Sequence, residues 1–231
     1  MKFRKQIILF SLIFLHTTTN AQSTWNFAMK VSVTNSNFSL NKSSNIYTSK
    51  WDKIDVAFPS KTGFAISADI EKHIFDKWSI TSSLRYSKWG GQINSSMPTF
   101  LLYLFDMDMN YQSIDIPICV RYYFYKKGRI LFYVTGGYGY SNTFNLSYTG
   151  KTNYGTGPHV NENIDLNSSF LCAGIGTEYK VTNKISGIIS FEVNNDMLLN
   201  NKRTQNYGGI NGFFYIPINY NLFALNVGVK L

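Results

Sequence analysis

Beyond residue 21 the chain holds two histidines, His73 and His159, and two cysteines, Cys119 and Cys172. His159 has Glu162 and Asp165 close by in sequence. Nucleophilic catalysis needs a base held by a third group against a serine, cysteine or threonine in fixed geometry. A histidine near two carboxylates in a polar stretch does not supply that geometry, so no catalytic residue is assigned. Zinc-ligand spacing, a phosphate-binding loop and a calcium loop are all absent from the sequence. Asp106 and Asp108 offer two carboxylates, well short of the six to eight oxygens a calcium ion takes. The expectation is a protein that is not an enzyme and holds neither cofactor nor metal.

The elements that carry these residues read as eight strands of period two. In the first, Trp25, Phe27, Met29, Val31 and Val33 face one way and Ala28, Lys30 and Ser32 the other. Further strands begin near Phe64, Trp78, Ile114, Ile130, Leu171, Ile185 and Phe223, each with one apolar face free of charge. A lysine or arginine at the midplane of a lipid-facing surface costs about 2–4 kcal/mol, so a charge-free outer face is what lipid demands. The connections alternate between short (72–77, 125–129, 181–184) and long (35–62, 89–113, 142–169, 194–219). Short turns at one end and long loops at the other mark an outer-membrane barrel. The expected fold is therefore all-β, an eight-stranded antiparallel up-and-down transmembrane β-barrel spanning residues 22–231.

Residues 1–21 read as a cleaved signal peptide. Lys2, Arg4 and Lys5 precede an apolar run from Ile7 to Leu15, and Thr19-Asn20-Ala21 supplies small residues at the cleavage site. The run is too short to span a bilayer as a helix. Losing three of the 22 basic residues leaves 19 against 13 acidic ones. Charged residues make up only 15% of the chain and aromatics 16%, which suits a protein whose solvent is partly lipid. Nucleic acid is not an expected partner of an exported chain with dispersed charge.

The opposite strand faces gather the charges. Lys30, Arg85, Arg121, Lys180 and Lys230 are expected inside with Asp69, Glu71, Asp115, Glu178 and Glu192. Eight strands leave a lumen that side chains just fill, and buried charges must be paired. This reads as a structural charge network rather than an aqueous conduit. The surplus of positive charge falls in the short turns, at Lys72, Lys77, Lys126, Lys127, Arg129 and Lys184. That end is periplasmic in such barrels, where basic groups either meet anionic lipid or an acidic partner or serve only solubility. Cys119 and Cys172 fall on one face but two strands apart, about 9.6 Å at 4.8 Å per strand. That exceeds the roughly 7 Å limit for a disulfide, so two buried thiols are expected.

The long loops are the place to look for function. Phe100-Leu101-Leu102-Tyr103-Leu104-Phe105 is an apolar run in the second of them. It reads as a contact patch, or else as part of strands that continue beyond the bilayer.

Several segments resemble a known family. Gly63 to Ile70, Arg85-Tyr86-Ser87, Ile114-Asp115-Ile116-Pro117 leading to Arg121-Tyr122-Tyr123-Phe124, and Ala173-Gly174-Ile175-Gly176 are similar to the PorT-like outer-membrane β-barrels of Bacteroidetes-type bacteria. The Ile-Asp-Ile-Pro segment stands where that family usually has Glu before Ile-Pro. The resemblance implies an outer-membrane location and no enzymatic residues. Taken together, the expectation is a monomer surrounded by outer-membrane lipids, with a structural or binding role through its extracellular loops. A periplasmic or extracellular protein partner stays open, as does service in a transport or secretion system. A lipid-modifying enzyme or protease is the remaining alternative.

Overall fold

The computed structural model describes residues 25–40, 55–57, 59–96, 105–152, 155–196 and 218–231. These form β1 (Trp25–Leu40), β2 (Asp55–Ala57), β3 (Lys61–Phe75), β4 (Trp78–Ser96), β5 (Phe105–Lys127), β6 (Ile130–Thr152), β7 (Gly155–Lys180), β8 (Ser186–Asp196) and β9 (Ile218–Lys230). Every pairing is antiparallel, in the order β4-β3-β1-β9-β8-β7-β6-β5, and β4 pairs with β5 to close the ring. Eight strands make the barrel; β2 only extends the far end of β4, pairing Asp55–Ala57 with Asn94–Ser96. Closure leaves the barrel strands without a free edge in the bilayer, where an unpaired backbone group has no water to bond.

The period-two pattern sorts the faces as expected. Met29, Val31, Val33, Leu84, Ile189, Leu225 and Val227 are exposed on the outside, while Lys30, Ser32, Arg85, Ser190 and Asn226 are buried within. Outward aromatics gather toward the two ends. Trp78 packs on Tyr122 at 4.5 Å between ring centres near the short turns, and Phe64, Tyr86 and Phe144 cluster toward the other end. Such girdles sit at the two water–lipid boundaries of outer-membrane barrels. The turn after β5 is tight because Gly128 takes a positive φ of 58°, a conformation glycine adopts without steric cost.

Two of the expected long loops are largely strand. β6 and β7 continue as a paired hairpin to Thr152 and Gly155, and β4 and β5 pair as far as Ser95 and Phe105. About 9–11 tilted residues cross the bilayer, yet β5 and β6 have 23 residues each and β7 has 26. The described part of β8 has 11, and it meets β7 over Phe170–Lys180. Residues 155–169 of β7 therefore add about 50 Å of strand, at 3.3 Å per residue, beyond the stretch paired with the described part of β8. The barrel wall is tall along β4–β7. The apolar run from Phe100 to Leu104 lies outside the described residues, and Phe105 is the first residue of β5.

Candidate functional site: an ion-paired lumen

Glu71 on β3, Lys230 on β9, Glu178 on β7 and Arg121 on β5 come from every second strand around the ring. Side chains on alternate strands reach the axis at one level, and here they meet with alternating sign. Lys230 Nζ lies 2.7 Å from Glu71 Oε2 and 3.0 Å from Glu178 Oε2. Arg121 Nη1 lies 2.9 Å from Glu71 Oε2 and 3.1 Å from Glu178 Oε1. Each carboxylate therefore touches both cations, and each cation both carboxylates. The Tyr123 hydroxyl stands 2.7 Å from an oxygen of each carboxylate, Ser79 donates to Glu71 at 2.5 Å, and the Arg121 guanidinium lies 4.2 Å above the Tyr133 ring. All four charged groups are buried.

A second layer sits nearer the outer end. Lys30 Nζ lies 2.7 Å from Asp69 and 3.3 Å from Glu192. Arg85 Nε donates to Asp115 at 3.0 Å across the β4–β5 pair, and its Nη1 lies 3.8 Å from Glu192. Asp115 also accepts from Ser87 at 2.8 Å and Ser141 at 2.6 Å. Glu192 joins Lys30 to Arg85, so the layer is continuous across the lumen.

Nine of the ten charges expected inside are in these two layers. Lys180 is the exception: it lies exposed at the end of β7, where its backbone N–H bonds to the carbonyl of Arg129 beside a short turn. The two layers therefore hold four cations and five acids rather than equal numbers, and His73, with Nε2 3.8 Å from Glu71 and its ring stacked on Tyr123, adjoins the acidic surplus. The apolar part of the lumen was not foreseen from the sequence. Ala28, Tyr123, Tyr133 and Ile188 pack as a buried cluster, and Trp89 stacks on Tyr111 at 4.6 Å toward the outer end, where Met109 and Leu146 are also buried. The signal was the continued inward alternation at 89, 109 and 111 in a segment read as loop.

Glycines make the filling possible. A Cβ at Gly176 would run into the Tyr133 ring, and one at Gly139 into the Phe170 ring. At the outer end the wall folds sharply, with Ser36 on β1 donating to the carbonyl of Gly90 on β4. Asp108 is engaged by Lys61. The Asp106 side chain lies outside the described residues. His159 Nδ1 contacts Thr149 Oγ1 at 2.9 Å on the exposed hairpin, and the side chains of Glu162 and Asp165 lie outside the described residues. Among the described residues no group of three or more His, Cys, Asp or Glu is placed to hold a metal ion.

Cys119 on β5 and Cys172 on β7 are two free, buried thiols separated by β6, as expected. The distance counted in strands does not hold, for their Sγ atoms are 2.7 Å apart. The two-strand estimate counted strand spacings as in a flat sheet. Here the wall is curved inward and the residue between is Gly137.

A closed antiparallel ring with an apolar exterior, aromatic girdles and a charged interior defines an integral outer-membrane β-barrel protein, embedded in outer-membrane lipid. The chain belongs to the family described as outer membrane protein beta-barrel domain, whose model matches residues 7–230. Comparison with curated proteins gives no match. Among solved structures, OprG from Pseudomonas aeruginosa is similar at 10% identity, covering 90% of this chain and 97% of that one, with a TM-score of 0.48. Neisserial surface protein A is similar at 13% identity over 89% and 96% of the two chains, with a TM-score of 0.45. The Escherichia coli outer membrane protease OmpT is similar at 12% identity over 93% and 99%, with a TM-score of 0.44. At these identities the likeness concerns the fold alone.

Proposed function

We propose that this barrel is a non-conducting, non-enzymatic protein of the PorT-like kind, exported through a cleaved segment at residues 1–21 and working as a monomer through its extracellular end. The observation that carries the reading is the pairing of nine inward charges, eight of them buried and Glu192 half-buried, in two layers across the lumen. An eight-stranded lumen is only wide enough for side chains. Opening a path for ions would require separating buried, mutually paired charges, which is strongly unfavourable. The network is filling, with a structural role, and function moves to the surface.

The tall wall supports a binding role. Strands β5, β6 and β7 run on well past the length a bilayer needs. With the short turns in the periplasm, this surplus of ordered sheet stands outside the cell, presenting Asn142, Asn145, Asn161, Asn163, Asn167 and His159. Ordered polar sheet offers a rigid recognition surface at lower entropic cost than a mobile loop. Planar-bilayer recording of the purified protein tests the closed lumen: no reproducible channels are expected, and discrete ion-conducting steps at constant amplitude would overturn it in favour of a transport role.

A further inference from the structure

Cys119, Gly137 and Cys172 form one row across three strands, since Gly137 is the register partner of both cysteines. Both thiols are buried on the lumen side, and 2.7 Å between Sγ atoms is closer than two non-bonded sulfurs comfortably stand. A disulfide bond is about 2.05 Å long, so the sulfurs need to move together by only about 0.65 Å. Gly137 is what permits the approach. A Cβ on it would stand 2.6 Å from Cys119 Cα and 2.9 Å from Cys119 Sγ, wedging the two side chains apart. Phe170 packs against both cysteines and completes a small apolar cluster.

The compartment is the second argument. An outer-membrane protein crosses the periplasm, where disulfides form and persist. We propose that the mature barrel carries a Cys119–Cys172 disulfide. It forms by thiol–disulfide exchange with a disulfide donor, either an oxidoreductase with an exposed disulfide or a small-molecule disulfide. One cysteine thiolate attacks the donor, giving a mixed disulfide and releasing one donor thiol. The second cysteine then displaces the other donor thiol, so that the chain loses two hydrogens and the donor gains them. Because the folded site is buried, the exchange precedes closure of the barrel.

The bond links β5 to β7 over β6. Cys172 pairs with Asn194 on β8, at the level from which β6 and β7 run on as a paired hairpin to Thr152 and Gly155. The staple therefore braces the base of the tall wall, joining two of the strands that project from the membrane. A two-thiolate metal site is the chemical rival, but the sulfurs are too close together to flank an ion with Zn–S bonds of about 2.3 Å in tetrahedral geometry.

The test uses the wild-type protein in outer membranes isolated under acid quench. The membranes are dissolved in SDS with excess maleimide, and the intact chain is weighed. The expected chain carries no maleimide and is two hydrogens lighter than the reduced form; after reduction it takes up two maleimides. Two maleimides without reduction would overturn the proposal. In the Cys119→Ser variant, Cys172 is expected to take one maleimide without reduction. A Cys172 that stays blocked there would show that its partner is some other thiol and refute the intramolecular link.

Discussion

Replacing Arg121 by methionine removes one corner of the inner ring of charges while keeping most of the side chain's apolar stem. The wild-type guanidinium contacts Glu71 at 2.9 Å and Glu178 at 3.1 Å and lies 4.2 Å above the Tyr133 ring. After the change, two buried carboxylates share one ammonium, Lys230, and the single proton of Tyr123. Taking one partner from a buried ion pair costs about 3–5 kcal/mol. Lys230 still touches both carboxylates, which places the loss at the lower end, about 3 kcal/mol. Urea unfolding of the barrel refolded into phospholipid vesicles reads this, with the heat-sensitive gel mobility of folded barrels reporting the native fraction. Adding Glu178→Gln to Arg121→Met removes one stranded negative charge and is expected to recover at least about 1.5 kcal/mol, the lower end for a hydrogen bond to a charged group. A loss below about 1 kcal/mol for Arg121→Met alone, typical of solvated surface pairs, would mean that the ring is hydrated and the reasoning wrong.

Other consequences concern the wall and its packing. Val227 is exposed at mid-strand on β9, beside Val31 and Ile189; Val227→Lys is expected to cost about 2–4 kcal/mol and to lower the yield of folded barrel, measured by gel mobility after refolding into vesicles. Gly176→Leu drives a side chain into the buried Tyr133 ring and should destabilise the barrel by about 1–3 kcal/mol in the same urea titration. Asn145 and Asn163 are register partners on β6 and β7, so cutting the hairpin there and joining the strands by a two-residue Asn-Gly turn should leave membrane assembly intact. Loss of assembly would show that the projecting sheet holds the barrel together rather than standing on it.

The alternation of faces was legible because one face must be free of charge to meet lipid, a constraint that acts at every second residue of the membrane-crossing part of each strand. Which inward charge meets which was not legible. Glu71, Arg121, Glu178 and Lys230 lie far apart in sequence and share a level only through the stagger of the strands around the ring. The tall wall was hidden for a different reason. The stretch Asn142-Thr143-Phe144-Asn145-Leu146-Ser147 has no continuous lipid-facing side, so its alternation is weak although pairing continues to Thr152. Lys180 departs from its expected place because a strand's last residue faces the aqueous rim whichever way the alternation points it. The cysteines are the buried thiols expected, but their spacing was misjudged because a distance counted in strands takes no account of curvature or of a bare glycine between.

The central claim, that alternating charges from every second strand close the lumen, is tested most directly at the Arg121 guanidinium. In the protein labelled with nitrogen-15 and held in micelles, its side-chain N–H protons should be resolved at neutral pH, exchange slowly with water and show contacts to Tyr123 and Tyr133. A guanidinium that exchanges with water as fast as a free arginine, with no contact to either ring, would contradict the account.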